Sequence, residues 1–399
     1  MRMATNMLAE VMPRVQRLSL GGIAGNSVVR LLYGCVAAAY ASQLQGIQCR
    51  CTINLPQGCW FAQLKDVDMN CSLASDYRLP QMSPGELTTL TLHYATSGRS
   101  WAPFSTEDST GEIEFPKLKV LNVACHSPQS GDGSPEACVE GGLQTLHFPR
   151  LEILRIRCSV NIQPLLNCAV LPAHLNEIHI DAIPTVLALL SRTTLPAARR
   201  VVVRVESGHG DRDEMFASVC GLLERTRSTS TSSRAVELDI DVETIPVYAR
   251  SITCTALTRL HVSGATRVDT MIALIRKLPN LNDLALFHVV ADGLDSGPLL
   301  SGSGDKRAVP LSKTLRRCEL MFAYEARLLD MAIPLVQSLL LRIPTLTHFI
   351  SVQVPERPIN EFVGAAAQRY PHLPAIKLSL GEGWDDYSSD YLNIVALVT

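Results

Sequence analysis

The sequence has no excess of positive charge. Its 36 Lys and Arg against 38 Asp and Glu leave a formal net charge of −2, so composition does not supply the basic surface that nucleic-acid binding needs. No nucleic-acid partner is expected. The first ten residues, from Met1 to Glu10, lack the apolar run of a secretory signal. The most apolar early stretch, Val28 to Ala41, is interrupted by Arg30 and falls short of the roughly 20 residues that cross a bilayer. No membrane contact is expected, and a cytoplasmic or nuclear location is the default. There is no serine nucleophile on a strand-turn-helix motif and no phosphate-cradling glycine loop. The stretch from Gly208 to Asp213 holds acid–base residues without an evident partner for them. With no convergent catalytic set, neither an enzyme nor a cofactor is expected.

What the chain does have is a repeat. At 47% hydrophobic and 19% charged it is built to fold around a core. The stretch Phe148-Pro149-Arg150-Leu151-Glu152-Ile153-Leu154-Arg155-Ile156-Arg157-Cys158 reduces to Leu151-x-x-Leu154-x-Ile156-x-Cys158. Alternation sends Leu154, Ile156 and Cys158 to one side of a strand and Arg155 and Arg157 to the other. The same skeleton starts at Val15, Leu44, Leu64, Leu87, Leu118, Leu151, Leu175, Ala198, Ala235, Leu257, Leu281, Leu315, Leu346 and Leu373. These fourteen units lie 20 to 37 residues apart, a period that points to stacked supersecondary units. The units from Leu44, Leu64 and Leu346 are the least regular, because Cys49 and Ser351 fill a core poorly.

Helical periodicity appears between the strands. Met271, Ile275 and Leu278 share one face, as do Ile359, Phe362, Val363 and Ala366. Pro184 and Pro334 suit first-turn positions, where a missing N–H costs nothing. Pro116, Pro149, Pro172, Pro279, Pro344 and Pro371 are expected to close helices just ahead of strands.

These features resemble the leucine-rich-repeat family over roughly residues 5–380. The lead-ins Phe115-Pro116-Lys117-Leu118, Phe148-Pro149-Arg150-Leu151, Leu278-Pro279-Asn280-Leu281 and Tyr370-Pro371-His372-Leu373 are most similar to fungal F-box-type members. The resemblance implies an α/β solenoid, a horseshoe with a parallel inner sheet and outer helices. It implies a repeat domain over 1–380 with a C-terminal cap or tail over 381–399. The family's asparagine position holds Ser159, His126, Ala95 or Ala265 here. Function by resemblance is protein binding, as the target-recognising part of a ubiquitin-ligase adaptor; the alternative is a stand-alone scaffold or regulator with no ligase link. Only about one helix fits before Val15. The expectation is therefore a C-terminal piece of a longer protein, with the ligase core a partner only if an F-box lies upstream of Met1.

Candidate partner-binding residues follow from the strand phase. Arg155 and Arg157 precede Glu177, His179 and Asp181, then Arg200 and Arg204, then Glu237, Asp239 and Asp241, then Arg259. Five successive strands thus alternate in sign on the face opposite the core. Opposite charges across strands stabilise by a few tenths to about 1 kcal/mol each. The ladder either neutralises itself and sets strand pairing, or recognises a partner of matching alternation. Strand insertions are a second candidate: 97–113, 127–142 and 292–309 after strands, with 206–213 and 225–234 elsewhere. Trp101 and Phe104 stand out in the first of these, since loop aromatics commonly anchor interfaces.

The twelve cysteines suggest a metal until their phase is read. Cys51, Cys71, Cys125 and Cys158 all sit two residues past the third apolar position, equivalent to Tyr94, Val205 and Phe322. That is an inward position, where free cysteine packs as a small hydrophobe. Only Cys51 and Cys71 are expected on adjacent strands. His93, His179, His261 and His348 project from the other side, three units apart. At about 4.8 Å per strand they are roughly 14 Å from one another, too far to share a metal. Asn70-Cys71-Ser72 has the glycosylation spacing but lies in a predicted strand.

Overall fold

Alternating apolar residues bounded by turns form parallel strands, and the pairing between neighbours follows the sequence phase at the second and third apolar positions, with register shifts beyond Val262 and Leu286. The computed structural model describes residues 15–20, 34–49, 60–72, 81–82, 84–95, 112–126, 145–159, 162, 166–167, 169–190, 195–205, 218–219, 221–222, 236–240, 257–290, 310–322, 326–351 and 354–380. It is a mixed α/β fold, largely of strands in parallel sheets. The chain divides into two units: residues 1–201 with 225–230, and residues 202–224 with 231–399.

In the first unit the strands are β1 (Arg17–Leu20), β2 (Gly46–Cys49), β3 (Trp60–Phe61), β4 (Asp66–Ser72), β5 (Gln81–Met82), β6 (Thr89–Ala95) and β7 (Ile113–Glu114). They continue as β8 (Val120–His126), β9 (Leu146–His147), β10 (Ile153–Cys158), β11 (Ala169–Val170) and β12 (His174–Ala182). The main sheet runs β1-β2-β4-β6-β8-β10-β12, every neighbour parallel. Strand β13 (Ala197–Val205) crosses the division between units.

Strands β2, β4, β6, β8, β10 and β12 are each entered through the same forked hydrogen bond. The Gln16 carbonyl accepts from the N–H groups of both Gln45 and Gly46, at 2.8 and 3.0 Å. Gln45 accepts likewise from Lys65 and Asp66, Lys65 from Thr88 and Thr89, and Thr88 from Lys119 and Val120. Lys119 then accepts from Glu152 and Ile153, and Glu152 from Asn176 and Glu177. One oxygen with two lone pairs thus satisfies two donors at every step. The inward positions Leu118, Leu121, Val123, Leu151, Leu154, Ile156, Leu175, Ile178 and Ile180 are all buried.

The second unit repeats the scheme with β14 (Val236–Ile240), β15 (Arg259–Arg267), β16 (Asp283–Val290), β17 (Arg317–Phe322), β18 (His348–Ser351) and β19 (Lys377–Leu380). All pair in parallel and in sequence order. Its forks are Thr258 to Asn282 and Asp283, Asn282 to Arg316 and Arg317, and Arg316 to Thr347 and His348. The irregular units also keep their phase: Cys49, Val67, Phe349 and Ser351 are buried inward.

The proline lead-ins are β-turns. The Phe115 carbonyl accepts from the Leu118 N–H at 3.3 Å, and the same bond joins Phe148 to Leu151, Leu278 to Leu281, Ile343 to Leu346 and Tyr370 to Leu373. Proline occupies the second turn position in all five, where its fixed φ is already correct. The expected helix-closing role holds at Pro279 and Pro344, which follow α-helices. It fails at Pro116, Pro149 and Pro172. These follow the two-residue strands β7, β9 and β11, which form a separate parallel sheet in the order β11-β9-β7. A segment this short has too few residues for a helical turn, so its backbone groups are satisfied by the equivalent segment of the next unit. Strands β3 and β5 do the same.

Helices with both ends among the described residues are α1 (Pro184–Leu190) in the first unit and α2 (Val268–Lys277), α3 (Ala326–Arg342) and α4 (Glu356–Ala366) in the second; residues 34–39 are helical as well. Pro184 opens α1 as expected. Pro334 does not open a helix; it lies inside α3. The apolar stripe Ala332, Leu335, Val336, Leu339 and Leu340 is buried on both sides of that proline, and its packing outweighs the lost hydrogen bond. Met271, Ile275 and Leu278 are buried as their spacing predicts, whereas of the α4 face Ile359 alone is buried, with Phe362, Val363 and Ala366 half-exposed. No helix among the described residues is long and apolar enough to cross a membrane.

Candidate functional site

Because one face of each strand is packed into the core, the other face is forced to carry the polar residues. Parallel in-register pairing lines these up in three rows. In the first unit the row preceding the second apolar position holds Arg17, Gly46, Asp66, Thr89, Val120, Ile153 and Glu177. Arg17 reaches across β2 to Asp66, Nη2 to Oδ2 at 3.1 Å. It can do so because Gly46 lies between them: a Cβ there would sit 3.1 Å from the Arg17 Cγ. Glu177 pairs with Arg200 at 3.5 Å.

The middle row is Ser19, Gln48, Asp68, Thr91, Asn122, Arg155 and His179. Ser19 donates to the Gln48 Oε1, and Gln48 donates through Nε2 to the Asp68 Oδ2, both at 3.1 Å. The other Asp68 oxygen meets the His93 Nε2 at 3.0 Å. Farther along, Asn122 donates to the Thr91 hydroxyl at 2.7 Å. His179 Nε2 meets Glu177 Oε2 at 2.9 Å. Burial lowers the His179 pKa, opposed by Glu177 and helped by Arg155 and Arg200. Its hydrogen bond to Glu177 in turn holds that carboxyl below the ordinary range.

Two arginines were expected to join the charge ladder from β10. Only Arg157 does, with its Nε 3.5 Å from the Asp181 Oδ2. Arg155 is in register with Asn122 on one side and His179 on the other, so the strand phase gives it no carboxylate. In the second unit Glu237 and Asp239 lie on β14 in register with Arg259 and His261. The alternation then runs two strands beyond the sequence reading. Asp283 lies in register between Arg259 and Arg317, at 3.8 and 3.9 Å from them. Arg317 also binds Glu319 at 3.2 Å. The signal for Asp283 was present in the sequence, one residue ahead of Leu284. Arg204 is half-buried on β13. Asp241, Trp101 and Phe104 lie outside the described residues, as do 97–111, 127–142, 206–213, 225–234, 292–309 and the 381–399 segment.

Four thiols among the described residues point inward, not to this face. Cys49, Cys125, Cys158 and Cys318 are buried, and burial pushes the Cys318 thiol far above its ordinary pKa. Cys125 and Cys158 are in register on adjacent strands; adjacency is therefore not confined to Cys51 and Cys71, because the two units are consecutive. Among the described residues no group of three or more metal-ligating side chains comes together. Asn70 to Ser72 form part of β4, whose backbone pairs with β6.

No family model and no curated protein matches the chain. What it can do chemically therefore rests on the rows themselves. They hold hydrogen-bonding and charged side chains at strand spacing, most of them already paired, with many still half in solvent. Such a face offers hydrogen bonds and charge to an extended polar surface laid across the strands.

Proposed function

We propose that this chain is a leucine-rich-repeat solenoid that binds a protein partner on the polar face of its parallel strands. The observation that carries the reading is the division of labour along the strands. One side is packed inward at the same positions in unit after unit. The other presents charged side chains that remain in water, with the side chains of Arg157, Arg200 and Arg259 between 42% and 59% exposed. The recurring X-Pro-x-Leu turns and forked entry bonds support the repeat reading, since the same local chemistry returns at unit after unit. Exposed ion pairs add little stability, about 0–1 kcal/mol each, so a ladder of them is more readily accounted for by recognition than by folding.

The test is reversal of Glu237, Asp239 and Asp241 together to lysine. Partners captured by the wild-type chain should be lost while the melting temperature stays within a degree or so of wild type. A loss of several kcal/mol in stability instead would make the ladder structural and sink the proposal. The narrower role, target selection for a ubiquitin ligase, predicts that the ligase core co-purifies with the protein from native cells; its consistent absence there would leave the scaffold reading.

A further inference from the structure

Among the described residues the polar face of the first unit is nearly closed on itself, and one cation of its rows is left over. On the rows of β1 to β12 and Arg200, Asp66 takes Arg17 and the Thr88 hydroxyl. Asp68 takes Gln48 and His93. Asp181 takes Arg157, and Glu177 takes His179 and Arg200. Arg155 is exposed and meets no carboxylate. Beside it in the same row, the Asn122 Oδ1 is buried and accepts no hydrogen bond, because its amide has turned its nitrogen to Thr91. A buried acceptor left without a donor is costly, and an unpaired guanidinium offers five donors in a planar fork. Val120 and Ile153, half-buried in the neighbouring row, add apolar surface next to both.

We propose that Asn122 and Arg155 form a recognition point for an acidic, extended segment of a protein partner. An Asp or Glu side chain of that segment receives the Arg155 fork, and the Asn122 amide swings out on docking so that its Oδ1, buried in the unbound face, accepts a backbone N–H of the same segment. The inference deepens the reading of the face as a protein-binding surface and rests on it. The spacing agrees: Thr91, Asn122 and Arg155 lie on consecutive strands, so they span about 10 Å, the reach of three extended residues at about 3.4 Å each. The carboxylate end supplies charge complementarity to Arg155, and the salt link is of the bidentate kind that arginine favours.

The experiment is selection of a random dodecapeptide display library on the full chain, followed by anisotropy titration of the enriched peptides. An acidic residue should recur in them. Arg155→Ala should weaken binding about tenfold or more, and Asn122→Leu by a smaller factor. A peptide with its acid changed to lysine should regain affinity on Arg155→Glu. Arg155 is exposed, so melting curves of the Arg155 variants should overlay the wild type. Enriched peptides without a carboxylate, or with equal affinity for Arg155→Ala, overturn the assignment. If the same peptides instead lose affinity on Arg200→Ala or Asp181→Ala, the recognition point is wrong and the face reading survives. If no peptide is enriched, both fall.

Discussion

The return segments over 60–170 and those over 268–366 answer one requirement with different local structure. Both must carry the chain back to begin the next parallel strand, and both must cover the apolar side of the strand just made. In the second unit helices do this. Helix α2 brings Met271, Leu274 and Ile275, and α3 brings Leu335, Val336, Leu339 and Leu340, all buried. Over 60–170 the two-residue strands bring far fewer side chains. At the turns before Leu64, Leu118 and Leu151 the residue is a large aromatic: Phe61, Phe115 and Phe148 are fully buried, and the last two stack with ring centroids 5.1 Å apart. After α2 and α3 the same turn position needs only Leu278 and Ile343. Tyr370, which follows α4, is half-exposed and fills no core. A thin return is thus compensated by one bulky ring, since interiors must be filled to near-crystalline density.

The strongest way to break this comparison is to empty the ring position. Phe148→Ala should cost about 3–5 kcal/mol, and Leu278→Ala toward the lower part of about 2–5 kcal/mol, read by urea unfolding of each variant. Equal losses at both sites would mean that the aromatic compensates for nothing. Next in size, Ser351 sits inward on β18 with its hydroxyl buried and unbonded. Ser351→Ala should raise stability by about 1 kcal/mol by removing that orphan group; a loss of stability would show that the hydroxyl is bonded after all.

The two polar faces can be compared through pH. The first unit holds Glu177 against His179, and the folded pKa of each is lowered from ordinary values of 4.5 and 6.5. For a lowered pKa the unfolded chain binds the proton more readily. The His179 contribution is therefore complete above 6.5 and is lost as pH falls from there, and the Glu177 contribution is complete above 4.5 and is lost below it. Acidification should destabilise the protein through both, and replacing Glu177 and His179 with glutamine should flatten that slope. An unchanged slope in the double variant would place the acid sensitivity elsewhere. The smallest effect belongs to Gly46→Ala. The added methyl displaces Arg17 from Asp66, and because that pair is exposed the loss should stay below about 1 kcal/mol. A larger drop would mean that the alanine disturbs β2 itself.

Much of this arrangement was legible before any coordinates. The skeleton around Leu154 and Ile156 predicted the inward face, and the register of Arg157 with Asp181 follows from counting one residue past each strand's third apolar position. Even the irregular unit at Phe349 and Ser351 kept its phase, because a one-residue slip would turn every apolar side chain outward. Two parts were not legible. Nothing in Ile113-Glu114 or Leu146-His147 distinguishes a strand from a loop, since two residues have no periodicity. Pro334 looked like a helix start because propensity is local, and only the packed stripe around it carries α3 through.

Which charges pair is the other matter that needed three dimensions. Sequence phase alone placed Arg155 and Arg157 together as equals. The strands decide between them: Arg157 lies opposite Asp181, and Arg155 opposite His179 and Asn122. Alternation and turn chemistry act between residues close in the chain, so the residues themselves settle the strands, their inward face and their order. Ion pairs, return segments and the filling of the core depend on neighbours 20 or more residues away. Only the packed structure, where those neighbours meet, could settle them.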